Sequence, residues 1–109
     1  MRLDRLLEIK KHIWEQCDNL TIVKGMGYGT NTDTLFNLRL VEYLGVSTAV
    51  EGAYVRMLDK VSRCARMLKL MKDGGNQPPE ESIKDTILDL INYASYIYAL
   101  LVESGVIKE

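Results

Sequence analysis

Apolar residues recur at spacings of three and four along most of the chain, and the pattern is densest between Ser82 and Glu103. Isoleucine or leucine stands at 87, 88, 90, 91, 97, 100 and 101, with Ala94 between them, so a helix here is apolar over most of its surface. One polar line runs through it: Asp85, Asp89, Asn92 and Tyr96. Their spacings of four, three and four place them on one helix face. Two acids four residues apart on a helix repel by a few tenths of a kcal/mol (~0.2–0.5). In so apolar a helix they are either satisfied by partners or used.

The remaining segments read as what packs around this helix. Residues 2–23 predict a helix from Leu3, Leu6, Leu7, Ile13, Trp14, Cys17 and Leu20. Lys24-Gly-Met-Gly-Tyr-Gly-Thr-Asn-Thr-Asp33 predicts a flexible loop, since its glycines tolerate positive φ. It matches neither the dinucleotide fingerprint nor the P-loop spacing. A short helix is expected over 34–44, capped by Asp33 or Thr32 and ended by Gly45. Thr48-Ala-Val-Glu51 is a capping box opening a third helix. There Val50, Tyr54, Met57, Val61, Cys64, Leu68 and Met71 form a heptad seam. Asp73-Gly-Gly-Asn-Gln-Pro-Pro79 breaks that helix, and Ser82-Ile-Lys-Asp85 resembles a second capping box. With no β-type alternation, the expectation is all-α. Three long helices and one short one would form a small antiparallel bundle in a single domain over 1–109.

Composition narrows the function classes. The chain has 109 residues, 47% apolar and 27% charged, as in an ordinary folded domain. A net charge of −1 supplies no bulk field for a nucleic-acid polymer or an anionic membrane, so neither is expected as a partner. The two cysteines, Cys17 and Cys64, fit reduced thiols at apolar positions, and the single His12 excludes a histidine metal cluster. Arg2, Asp4, Arg5 and Glu8 interrupt any early apolar run, and Leu90 to Val102 is too short to span a bilayer. A cytoplasmic protein is therefore expected.

The acids are the first candidate chemistry. Asp85 and Asp89, one turn apart, offer hard oxygen ligands suited to Mg²⁺, which needs only one or two carboxylates beside substrate phosphates. Capping and the helix macrodipole account equally for Asp85, but not for Asp89 two turns in. The second candidate is a basic strip on the third helix: Arg56, Lys60 and Arg63, set to grip phosphate oxygens. Pairing of Asp59 with Arg56 and Arg63 on a solvated face explains the same strip. Antiparallel packing of the last two helices would put it across a cleft from the acids. No nucleophile–histidine arrangement appears.

Tyr28-Gly29, the Arg56-x-x-Asp59-Lys60-x-x-Arg63 strip and the run from Glu81 to Tyr93 together resemble small phage and prophage proteins of the nucleotide-modification-associated type. These are similar in turn to the all-α nucleoside triphosphate pyrophosphatases, the MazG and dimeric dUTPase relatives. The resemblance covers roughly residues 24–103, and its most specific part is Asp85-Thr-Ile-Leu-Asp-Leu-Ile-Asn-Tyr93. It implies a host-cytoplasmic homo-oligomer that binds a small nucleotide. Asp85 and Asp89, as catalytic residues, would hold Mg²⁺ with help from Asp59 or Glu42. Arg56, Lys60 and Arg63 would meet the phosphates, and Asn92, Tyr96 and Tyr28 the rest of the ligand. The family's Glu-x-x-Glu pair is missing from the facing helix, where Glu51 lies about 12 Å along the axis from Asp59. Three readings stay open on this evidence. One is a Mg²⁺-dependent pyrophosphohydrolase of free (d)NTPs. Another is a sponge that sequesters a cyclic-nucleotide or ADP-ribose-type signal of anti-phage defence without cleaving it. The last is a structural oligomer with no ligand.

Overall fold

The computed structural model describes residues 1–28, 33–74 and 77–109, with the side chain of Tyr28 outside that description. Four helices, α1 (Leu3–Tyr28), α2 (Phe36–Tyr43), α3 (Ala49–Lys72) and α4 (Glu80–Glu103), make an all-α bundle with no strand among the described residues. None of these helices is long and apolar enough to cross a membrane.

Helix ends depart from the sequence reading in three places. α1 does not stop at residue 23 but continues through Gly25 and Gly27 to Tyr28. Each glycine costs a helix up to about 1 kcal/mol against alanine. Lys24, just before these glycines, bonds Asp89 of α4. Gly25 is also where a neighbour comes close: a Cβ there would lie 2.9 Å from Cγ2 of Thr34. α2 begins after Leu35 without a side-chain cap. Asp33 instead accepts the Leu35 N–H at 3.1 Å, capping the turn that precedes the helix; Thr32 lies outside the described residues. α4 starts at Glu80, two residues before the expected Ser82 box, with Pro79 at the cap and Glu80 and Glu81 complementing the dipole. Ser82 serves differently: its carbonyl accepts the hydroxyl of the buried Thr86 at 2.8 Å.

Two ends were legible. Gly45 takes φ +73°, and the Gly45 and Val46 N–H groups return to Glu42 and Val41 in a Schellman closure of α2. Thr48 and Glu51 exchange both bonds of the capping box, each at 3.1 Å. Those bonds hold the Glu51 carboxyl below the usual carboxylate range.

α4 is the central element, with α3 and α1 both packed on it and α2 packed on α3. Ala49 and Ala53, early in α3, share a core with Leu38 of α2 and Leu100, near the end of α4. Lys60, later in α3, meets Asp89, earlier in α4, so these two helices run antiparallel. α1 runs the same way as α4: Cys17 lies against the Leu88 carbonyl, and Thr21 one turn later against Asn92 and Tyr96. Up, down and up for α1, α3 and α4 is the expected bundle topology. Arg39 clamps α2 to the chain around it, bonding Asp33 at 2.5 Å and Glu103 at 2.6 Å, and the two carboxylates drive its pKa upward.

The core is small. Cys17 is buried, and burial, followed by the charges of Asp18 and Asp89, pushes its thiol up, which suits an unreactive cysteine. Cys64 is half-buried and His12 is exposed. Of the heptad seam expected along α3, Val50, Met57, Cys64 and Met71 are half-buried, while Tyr54, Val61 and Leu68 are exposed.

Ala53 has no accessible surface where α3 crosses α4. Ala53→Leu is expected to destabilise by about 1–3 kcal/mol through overpacking. Thermal unfolding should register this as a fall of roughly 4–8 °C per kcal/mol.

Candidate functional site

The site forms where α4 passes between the later part of α1 and the early part of α3. Spacing on α4 sends Asp89, Asn92, Tyr93 and Tyr96 toward the same side, and all four line a cavity of about 460 Å³. α1 contributes Thr21, Lys24 and Gly25, and α3 contributes Arg56. The α2 region closes the remaining wall with Leu35, Leu38 and Asn37. The size lies within the range of small-molecule sites, as does the mixture of apolar wall and a few convergent polar groups.

Asp89 is the electrostatic centre. Its Oδ1 accepts from Lys24 Nζ at 3.0 Å and its Oδ2 lies 3.2 Å from Lys60 Nζ. The carboxylate is mostly covered, with its side chain 16% exposed. Two ammonium groups from two helices therefore satisfy the acid that an apolar helix would not otherwise tolerate. Burial works against the charge on Lys24, but its hydrogen bond to Asp89 and that carboxylate's charge outweigh it, and the Lys24 pKa ends above its ordinary value. Arg56 lines the cavity with no ion-pair partner among the described residues. Counting the exposed Arg56 of the cavity wall, the site holds three cations against the one carboxylate and carries a net positive charge.

A hydroxyl relay continues along α4. Thr21 Oγ1 lies 2.7 Å from the Tyr96 hydroxyl and donates to Asn92 Oδ1 at 3.4 Å, so the tyrosine is left to donate to the threonine. Tyr93 and Tyr96 meet edge to face with centroids 5.9 Å apart. Asn92 is only 4% exposed, yet its Nδ2 has no hydrogen-bond partner among the described residues. A buried donor left unmade costs about 1–3 kcal/mol. Asn92 belongs to the cavity wall, and a small shift of its side chain would bring this donor to an acceptor held there.

Comparison with protein-family models, with curated proteins and with solved structures gives no match. The site is read from its own residues.

Of the residues singled out by sequence, Asp89, Lys60, Arg56, Asn92 and Tyr96 come together here. Asp85, Asp59, Glu42 and Arg63 are exposed and line no part of the cavity. The Tyr28 side chain and Gly29 lie outside the described residues. As a Mg²⁺ site the donor set does not fit. Both oxygens of Asp89 are engaged by ammonium groups, Asp85 stands apart from the cavity, and no cluster of three His, Cys, Asp or Glu occurs among the described residues. Sequence reasoning missed Thr21, Lys24 and Tyr93. Ending the first helix at residue 23 removed Lys24 from the face it shares with Cys17 and Thr21, at spacings of four and three.

Asp89→Ala is expected to cost about 2 kcal/mol, since it leaves two lysines facing each other; the figure is held down by the half-exposed Lys24. Denaturant unfolding measures it. Because the Lys24 pKa is raised in the folded state, its stabilisation is complete below the ordinary lysine value of about 10.4 and is lost as pH rises through the higher folded value. Alkaline unfolding curves of the wild type should contain this component, and those of Lys24→Met should lack it.

Proposed function

We propose that the protein binds a small phosphate-bearing nucleotide in this cavity and holds it without cleaving it. The observation that carries the reading is Asn92 Nδ2, a buried donor without a partner among the described residues, on a residue that lines the cavity together with Arg56, which has no ion-pair partner among them either. The net positive surround favours an anionic ligand, and Arg56 offers the forked donors that match phosphate oxygens. Leu35, Leu38 and the two tyrosines supply an apolar and aromatic wall for a ring, and Asn92 a donor for an acceptor on that ring.

Binding without hydrolysis is the better-supported half. A pyrophosphohydrolase needs carboxylates free to position a metal and its water. Here the central carboxylate is occupied by Lys24 and Lys60, and the second acid of the pair stands outside the cavity. A site of this kind suits sequestration of a nucleotide, including a cyclic-nucleotide or ADP-ribose-type signal, over turnover of a triphosphate.

The test is calorimetric titration with (d)NTPs, nucleoside monophosphates, a cyclic dinucleotide and ADP-ribose, each with Mg²⁺ and with EDTA. At least one should bind equally well in EDTA and be recovered intact by chromatography after denaturation. Binding that requires Mg²⁺ and releases pyrophosphate would establish the hydrolase instead, and no binding by any of them would remove the nucleotide reading.

Asn92→Leu separates function from stability. Replacing the amide by an apolar group of similar volume removes the unmet Nδ2 together with one long bond from Thr21, which keeps its bond to Tyr96, so the melting temperature should change little. Affinity for the bound nucleotide should fall at least tenfold. A variant that binds as well as the wild type would place the ligand elsewhere.

A further inference from the structure

The chain exposes far more surface than its size requires. A folded monomer of 12.4 kDa is expected to expose about 6,100 Å², and this one exposes 8168 Å². Its radius of gyration is 16.0 Å, against roughly 13 Å for a compact domain of this length. The excess of roughly 2,000 Å² is larger than the ~800 Å² each partner buries in an interface of standard size.

Part of that excess is ordered as a stripe on α3. Tyr54, Leu58, Val61 and Leu68 are each between 43% and 57% exposed, and Ala65 is exposed among them. They follow one another at spacings of four, three, four and three, the pattern of a coiled-coil seam, shifted one column outward from the half-buried line of Met57, Cys64 and Met71. No charge interrupts the stripe. The apolar positions of α1 lack this property, because Lys10 and Lys11 stand between Leu7 and Trp14. At its two ends, in the same register, the stripe carries opposite charges: Glu51 in the first turn of α3 and Lys72 in the last, with Lys69 beside it.

We infer that α3 pairs with α3 of a second copy of this chain, antiparallel, through the Tyr54–Leu68 stripe. A seam of this spacing is self-complementary and closes as a two-fold dimer. Antiparallel pairing sets the Glu51 end of one copy beside the Lys69 and Lys72 end of the other. It also opposes the two helix macrodipoles. Parallel pairing would stack Lys72 on Lys72 and Glu51 on Glu51. The dimer follows from the shape and charge of α3 and does not depend on the nucleotide reading, since Arg56, Lys60 and Ala53 leave the helix on other faces.

Sedimentation equilibrium of the full chain tests this, with circular dichroism as the check on folding. The wild type should sediment at twice 12.4 kDa or a higher even multiple. Val61→Glu, at a half-exposed position, should keep its helicity and dissociate at least tenfold more readily. Lys72→Glu should also weaken the dimer, because it brings a second acid to Glu51 of the partner copy, whereas a parallel pair would be unaffected. A monomeric wild type, a Val61→Glu protein that associates as before, or a Lys72→Glu protein as tightly paired as the wild type would each overturn the inference.

Discussion

One carboxylate holds the three long helices in register. Asp89 belongs to α4, its two oxygens reach Lys24 of α1 and Lys60 of α3, and its side chain is largely shielded from water. Buried ion pairs contribute little net stability when desolvation is counted, but removing one partner of such a pair is costly. The value of this contact is therefore positional. It fixes where the last turns of α1 lie, against the weak helix-forming tendency of Gly25 and Gly27, and so sets the wall of the cavity.

The same contact decides what chemistry the cavity supports. A carboxylate already shared between two ammonium groups is a poor metal ligand, while the cations around it remain in excess once Arg56 is counted. The hydroxyl relay from Tyr96 through Thr21 ends on Asn92, a residue of the cavity wall whose buried Nδ2 has no partner among the described residues. In the function proposed above, the positive surplus and apolar wall serve an anion carrying a ring, and the unmet buried donor serves an acceptor on it.

Sequence spacing determines which residues share a face of their own helix, but not how far along that face a neighbour extends. That is why Asp89, Asn92 and Tyr96 were legible as a set, while Asp85, on the same line one turn earlier, turns out exposed and outside the cavity. The capping box at Thr48 and Glu51 and the stop at Gly45 were legible because each is satisfied locally. The end of α1 was not, because its glycines argue for a loop, while the contacts of Thr21 and Lys24 with α4 are tertiary and do not show in local spacing. The α3 seam was legible as a heptad stripe of a bundle helix, but periodicity marks an apolar stripe without saying whether its own chain covers it. Tyr54, Val61 and Leu68 remain uncovered.

The side-chain amide of Asn92 is the most direct reporter of the central claim. In nuclear magnetic resonance of ¹⁵N-labelled protein, titrated in EDTA with a nucleotide that binds, its NH₂ proton resonances should shift downfield and saturate with the calorimetric isotherm as the free donor gains an acceptor. An Asn92 amide that stays in place while the nucleotide saturates the protein would contradict the account.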